Sequence, residues 1–123
     1  MSKRVRIKWL TKPEAHDYAA AASYLSLLYP PAAARARVAR LRRAGKAAFK
    51  AKDIFRASRL SLLGVSNGHV ATDRKKIRAG KSLSPILLVR DATHGRVVIA
   101  DGYHRLCAVY TFDEDALIPC RIT

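Results

Sequence analysis

Pro85-Ile86-Leu87-Leu88-Val89 is a run of five apolar residues with no polar break. A half-exposed strand alternates apolar with polar side chains, whereas an unbroken β-prone run suits a strand covered on both faces. This segment therefore predicts a central strand with layers packed on either side of it. Asp91-Ala92-Thr93-His94-Gly95 then reads as a turn and Val97-Val98-Ile99-Ala100 as the second arm of a hairpin. Leu106, Val109 and Tyr110 share one helical face, and residues 117–122 read as a short final strand. Two strands, a helix and a strand make this part of the chain α+β.

The first half has a different pattern. Residues 1–8 alternate basic with apolar side chains, which predicts a half-exposed strand; they hold no apolar stretch of export-signal type, so a cytoplasmic location is expected. Thr11-Lys12-Pro13-Glu14 has the spacing of a capping box and predicts a helix start, with Tyr18, Ala21 or Ala22, Leu25 and Leu28 as its apolar stripe. Pro30-Pro31 stops that helix, and Pro31 suits the first position of the next. There Ala34, Val38 and Leu41 share a face and Gly45 is expected at the C-cap. Asp53 predicts the N-cap of a short helix over residues 54–59, and Thr72 or Asp73 that of a helix running to Arg78 and ended by Gly80. Residues 60–70 read as a loop with room for one strand. The prediction is a single domain of class α+β, a small mixed sheet with helices. A basic strand and helical hairpin (residues 1–52) precede its core (residues 53–123).

Charge narrows the function. The chain holds 24 Lys and Arg against nine Asp and Glu, a formal net charge of +15. Residues 1–60 carry 15 basic and three acidic side chains, residues 61–123 nine and six. So uneven an excess in a small domain points to a polyanionic partner, nucleic acid above all. Arg35, Arg40, Arg42, Arg43 and Lys46, on or just beyond the second helix and away from its apolar stripe, are the candidate contacts. No aromatic residues are interleaved with them, which favours contact with a phosphate backbone over base stacking. No apolar run approaches the ~18 residues of a membrane span, so no membrane role is expected. Cys107 and Cys120 have no metal-ligand spacing and read as core thiols.

Ile99-Ala100-Asp101-Gly102-Tyr103-His104-Arg105 carries the chemistry. A strand that passes through Gly102 into a helix leaves the first helical amides unpaired at the sheet edge, where they and the helix dipole make an anion site. Gly102 allows a positive φ or a close approach of ligand to backbone. Arg105 offers a guanidinium fork to phosphate oxygens and His104 a donor that titrates near neutral pH. Asp101 would repel phosphate, so capping, orienting His104 or holding a metal ion are the roles left to it. The bland alternative is a capped helix whose arginine pairs with a nearby carboxylate. Tyr103 is either a stacking platform for a base or a surface residue.

Asp101-Gly102-Tyr103-His104-Arg105-Leu106-Cys107-Ala108 resembles the strand-to-helix signature of the ParB/sulfiredoxin superfamily, Gly-x-x-Arg-x-x-Ala, with Gly102, Arg105 and Ala108 in its three fixed places. The order of elements over residues 55–123 agrees with that family's core, and the basic hairpin lies outside the resemblance. The resemblance implies a ParB/sulfiredoxin-like fold and a nucleotide (ATP, ADP or CTP, with or without Mg2+) held by Gly102, Tyr103, His104 and Arg105. If the protein is an enzyme, Asp101 and His104 are its catalytic candidates, in a nucleotide-dependent phosphotransferase or a nuclease. Tyr103 stands where sulfiredoxins carry cysteine, which argues against peroxiredoxin repair. Free-serine kinases of this fold carry Asp-Gly-His-His-Arg, from which this chain departs only at Tyr103. Partition-protein relatives append a helix-turn-helix domain that the sequence ending at Thr123 does not contain, so their role in segregation is not carried over.

Other residues read more plainly. His16, His69 and His94 share no spacing and are expected to be solvated or in turns. Ser66-Asn67-Gly68-His69 is a turn that, by the same resemblance, faces the motif across the pocket. Arg74, Lys75, Lys76 and Lys81 either extend the phosphate contacts or form a charged helix face, and Asp113-Glu114-Asp115 is a helix-ending loop. No metal ligand set is apparent. A further alternative is a small protein-interaction module, of toxin–antitoxin or phage-encoded type, whose alanine-rich hairpin docks on a protein.

Overall fold

In the computed structural model, which describes residues 5–123, the apolar run around residue 86 is the middle of the molecule. The helices are α1 (Ala15–Leu28), α2 (Pro31–Arg43), α3 (Ala51–Ser58), α4 (Gly68–Arg78) and α5 (Tyr103–Phe112). The strands are β1 (Ala47–Lys50), β2 (Ile86–Asp91), β3 (Arg96–Asp101) and β4 (Leu117–Ile122). They form one sheet in the order β1-β4-β2-β3, with β2 and β4 parallel and the other pairs antiparallel. The class is α+β with a small mixed sheet.

Alternation along β2 builds two cores. Ile86 and Leu88 face a cluster with Ile54 of α3, Val70 and Ile77 of α4, and Leu106 to Val109 of α5. Leu87 and Val89 face the other way, toward Tyr18, Ala21 and Leu25 of α1 and Ala34, Val38 and Leu41 of α2. All four β2 side chains are buried, as a strand covered on both faces requires. The helical hairpin is thus the second layer of the sheet. Cys107 and Cys120 are buried free thiols, and burial pushes Cys120 up to about 11.

Several local expectations are corrected. Met1 to Arg4 of the expected N-terminal strand lie outside the described residues; residues 5–8 are not a strand, and Trp9 makes only a single parallel bridge with Leu83. α1 starts at Ala15 with Glu14 as its N-cap, and Asp17 accepts from the Glu14 amide at 2.8 Å. Pro13 disfavours helix at Lys12, so the box anchored on Thr11 cannot form. Leu28 is exposed, because α1 ends there before the chain turns at Pro30. α2 ends in extended Ala44, so Gly45 is no C-cap, and the chain enters β1, a strand not foreseen. Asp53 lies in the first turn of α3 behind the N-cap Lys50. α4 begins four residues before Thr72: the Asn67 side chain accepts from the amides of His69 and Val70, which outweighs the poor helix propensity of Gly68.

Candidate functional site

Gly102 ends β3 and opens α5 at φ 105°, a backbone angle that L side chains resist. A Cβ there would lie 2.8 Å from Cγ1 of buried Ile86, so both the turn and the packing call for glycine. The first bond that closes α5 runs from Leu106 N to Gly102 O, and no side chain caps the helix. The amides of Tyr103, His104 and Arg105 precede that bond and have no intrahelical partner.

They open into a cleft of about 300 Å³. Its walls come from the start of α1 (Glu14 and His16), from α4 (His69, Thr72, Asp73 and Lys76), from residues 82–84, and from Asp101 to Arg105. The His69 and His104 rings lie 4.7 Å apart. Burial, and after it the neighbouring His69, hold the His104 imidazole below its usual range, while Asp73 pulls the other way. Ser84 Oγ donates to Glu14 Oε1 at 2.9 Å.

Arg105 does not project free into this space. Its Nη2 donates to Asp101 Oδ2 at 2.9 Å and to the Pro85 carbonyl at 3.4 Å, and its Nη1 lies 3.5 Å from Asp17 Oδ1. Its buried Nε has no partner. The expected fork on phosphate is therefore taken by two carboxylates, the arrangement of the bland alternative. Burial holds the Asp101 carboxyl up at about 6, although the Arg105 guanidinium works against that rise; the facing Asp17 carboxylate adds to it. Asp101 neither caps α5 nor bonds His104, so its place is that of an Arg105 partner with a pKa near the working range.

Tyr103 is tethered, since its hydroxyl donates to the Ser61 carbonyl, and this removes the freely stacking platform. Lys76 lines the cleft, whereas Arg74 stacks on Phe112 at 4.3 Å and Lys75 and Lys81 point to solvent outside it. The acidic loop after α5 is turned to α3, where Asp115 pairs with Lys52 at 2.6 Å. His94 sits in the turn as expected, 2.9 Å from Asp91. His16 and His69 are exposed, as expected, and both also line the cleft; the signal for His69 was the Asn67-Gly68 cap, which fixes the ring on the first turn of α4. No local pattern marks Asp17 as the partner of Arg105.

Among the described residues, Glu14, His16 and Asp17 are the one group of three or more residues of metal-ligating type whose donor atoms lie within 4.8 Å of one another. His16 is 3.8 Å from Glu14 and 3.5 Å from Asp17. Asp17 already accepts from the Glu14 amide and meets Arg105, so the group is an N-terminal cap with an exposed histidine beside two acids.

The candidate nucleic-acid face is on α2, in the hairpin layer whose other helix, α1, walls the cleft at its start. Between Asp17 and Asp53 the chain has no carboxylate. Arg35, Arg40, Arg43 and Lys46 are exposed and make no ion pair among the described residues. Arg42 is exposed too, with its guanidinium over the Tyr18 ring at 4.5 Å, and Arg37 covers Tyr29 at 3.8 Å. No helix among the described residues is long and apolar enough to cross a membrane. No protein-family model matches the chain, and no curated protein or solved structure matches it either.

Proposed function

We infer that the cleft binds the phosphate group of a nucleotide and that the basic face of α2 contacts nucleic acid. The observation that carries the reading is the set of uncapped amides at Tyr103 to Arg105, opening into a cleft that also holds Lys76, His69 and His104. Unpaired donors at the positive end of a helix favour a dianion before any side chain contributes. Lys76 and the two imidazoles take the part the sequence assigned to Arg105, which acts as the strut of the cleft floor. The ligand class is a nucleotide such as ATP, ADP or CTP, with Mg2+, where it takes part, brought in on the phosphates. ParB/sulfiredoxin-like ancestry remains a proposal resting on the motif at residues 101–108.

Melting curves with ATP, ADP, CTP, GTP and inorganic phosphate test the cleft. A ligand that binds only the folded chain stabilises it by about 2.7 kcal/mol at 100 times its dissociation constant, a rise of several degrees. No rise with any of them refutes the reading. The basic face is tested by titrating DNA binding with salt. Replacing Arg40 and Arg43 with alanine lowers the magnitude of the log–log slope by about 2 if both meet phosphates.

Two further readings each have an observation in their favour. Asp101, raised to about 6, and His104, held low, both line the cleft with shifted proton affinities, which supports phosphotransfer or hydrolysis. Release of labelled phosphate from nucleotide or DNA, lost in Asp101→Asn, is its test. Tyr24, Leu28 and Leu60 are partly exposed together over β3, which supports a protein contact on the α1 side; co-purification lost on Leu28→Glu tests it.

A further inference from the structure

Three features give the two proposed sites a common direction. The first is the path of charge. α2 runs back along α1, so that Arg42 near its C-terminus reaches Tyr18 in the first turn of α1. Tyr18 follows Asp17, which meets Arg105, and His16 and Glu14 of the same turn line the cleft. The cationic end of α2, with Arg40, Arg43 and Lys46, therefore lies at the end of the hairpin that borders the cleft, and no carboxylate interrupts the chain from Tyr18 to Lys52.

The second is the size and shape of the cleft. At about 300 Å³ it is at the small end for ligand pockets and suits a phosphate with one attached sugar or base. An internal phosphodiester has a nucleotide on either side to seat around that volume. A chain end has only one neighbour to accommodate.

The third is charge number. A terminal phosphomonoester carries about −1.5 to −2 near pH 7, whereas an internal diester carries one negative charge. Three free amides and Lys76 favour the higher charge over that of an internal diester, and Glu14, Asp73 and Asp101 in the same walls reduce that preference.

Resting on the cleft reading above, we propose that the ligand is the terminal phosphomonoester of a nucleic-acid strand, whose adjoining backbone lies against Arg40, Arg43 and Lys46. The chemistry shared with a free nucleotide is the phosphomonoester; the adjoining strand separates the two sources.

The test uses the whole chain and fluorescence anisotropy at fixed salt. The probes are one internally labelled oligonucleotide sequence bearing a 5′-phosphate, a 3′-phosphate or hydroxyls at both ends, with a circular form as the end-free control. At least one phosphorylated form is expected to bind about fivefold or more tighter than the hydroxyl and circular forms. Lys76→Ala, an exposed change that leaves the core alone, should reduce that preference at least twofold, measured against hydroxyl-ended and circular DNA on the same variant. The double variant Arg40→Ala, Arg43→Ala should weaken every form and spare binding of mononucleotide. Equal affinity for phosphorylated, hydroxyl-ended and circular DNA overturns the inference, and if nucleotides still raise the melting temperature the cleft reading survives it. If neither phosphate nor any nucleotide raises the melting temperature, the cleft reading fails and this inference with it.

Discussion

Arg105, in the first turn of α5, and Asp17, in the first turn of α1, meet at 3.5 Å across 88 residues of sequence, and the Asp17 side chain is only 1% exposed. This pair joins the two layers at the end of the sheet where the cleft opens. A buried acid stripped of its cation, or a cation of its acid, is expensive even where the intact pair contributes little net stability.

Asp17→Ala should therefore cost about 3 kcal/mol in urea unfolding, less than a fully isolated charge because Asp101 still holds Arg105. Asp17→Asn, which keeps an acceptor for the Glu14 amide, should lose roughly half as much. A loss below about 1 kcal/mol in the alanine variant would mean that the pair does not join the layers.

Asp101 gives the fold a pH signature. Its carboxyl is raised from the usual value to about 6, so the folded state favours the protonated form. That contribution to stability is complete below about pH 4 and is lost as the pH climbs through about 6. The unfolding free energy of the native chain minus that of Asp101→Asn should accordingly fall by about 2 kcal/mol between pH 4 and 6.5. Taking the difference cancels the exposed acids Asp91 and Asp115, which are shifted the opposite way by Arg96 and Lys52. A difference that stays level over this range contradicts the assignment.

Gly102→Ala combines two penalties, a left-handed φ and a Cβ at 2.8 Å from a core isoleucine. The expected cost is about 2–4 kcal/mol, read from chemical denaturation. Gly45→Ala is the control: nothing lies within 4 Å of the added atom and its φ is not positive, so stability should hold or rise by up to about 1 kcal/mol. Equal effects at the two glycines would remove the special role given to Gly102.

The contrast between these glycines also shows what the amino-acid pattern can and cannot convey. Gly102 was legible because it separates a strand pattern from a helix pattern, and β2, β3, α5 and β4 were legible because their apolar runs are continuous or periodic. β1 was not, since Ala47-Ala48-Phe49-Lys50 has little strand preference of its own and is extended because it pairs with residues 117–120 of β4. The start of α4 was obscured by Gly68, whose low propensity the Asn67 cap overrides. The charge and chemistry of the cleft were visible at residues 101–105, but the engagement of Arg105 depends on Asp17, and contacts so distant along the chain leave no local spacing to read.

His104 provides the last prediction. With the cleft free of ligand, burial and His69 hold its imidazole low, so it is neutral at pH 7.5. A dianion placed at the start of α5 reverses that balance, because it favours the charged ring and offsets its repulsion with His69. Binding should then draw a proton from solvent, and affinity should rise as the pH falls from 8 to 6, by up to about tenfold per unit for each proton taken up. Sulfate is the probe of choice because it does not itself titrate in this range. Calorimetric titrations in two buffers of different ionisation enthalpy give the proton count directly. Protonation of Asp101 near pH 6 acts in the same direction by removing a negative charge from the cleft wall, so the variants must separate the two. His104→Gln should lower the proton uptake, and Asp101→Asn should remove the part near pH 6. Sulfate that binds with no proton taken up in the native chain would show that the anion lies away from these imidazoles.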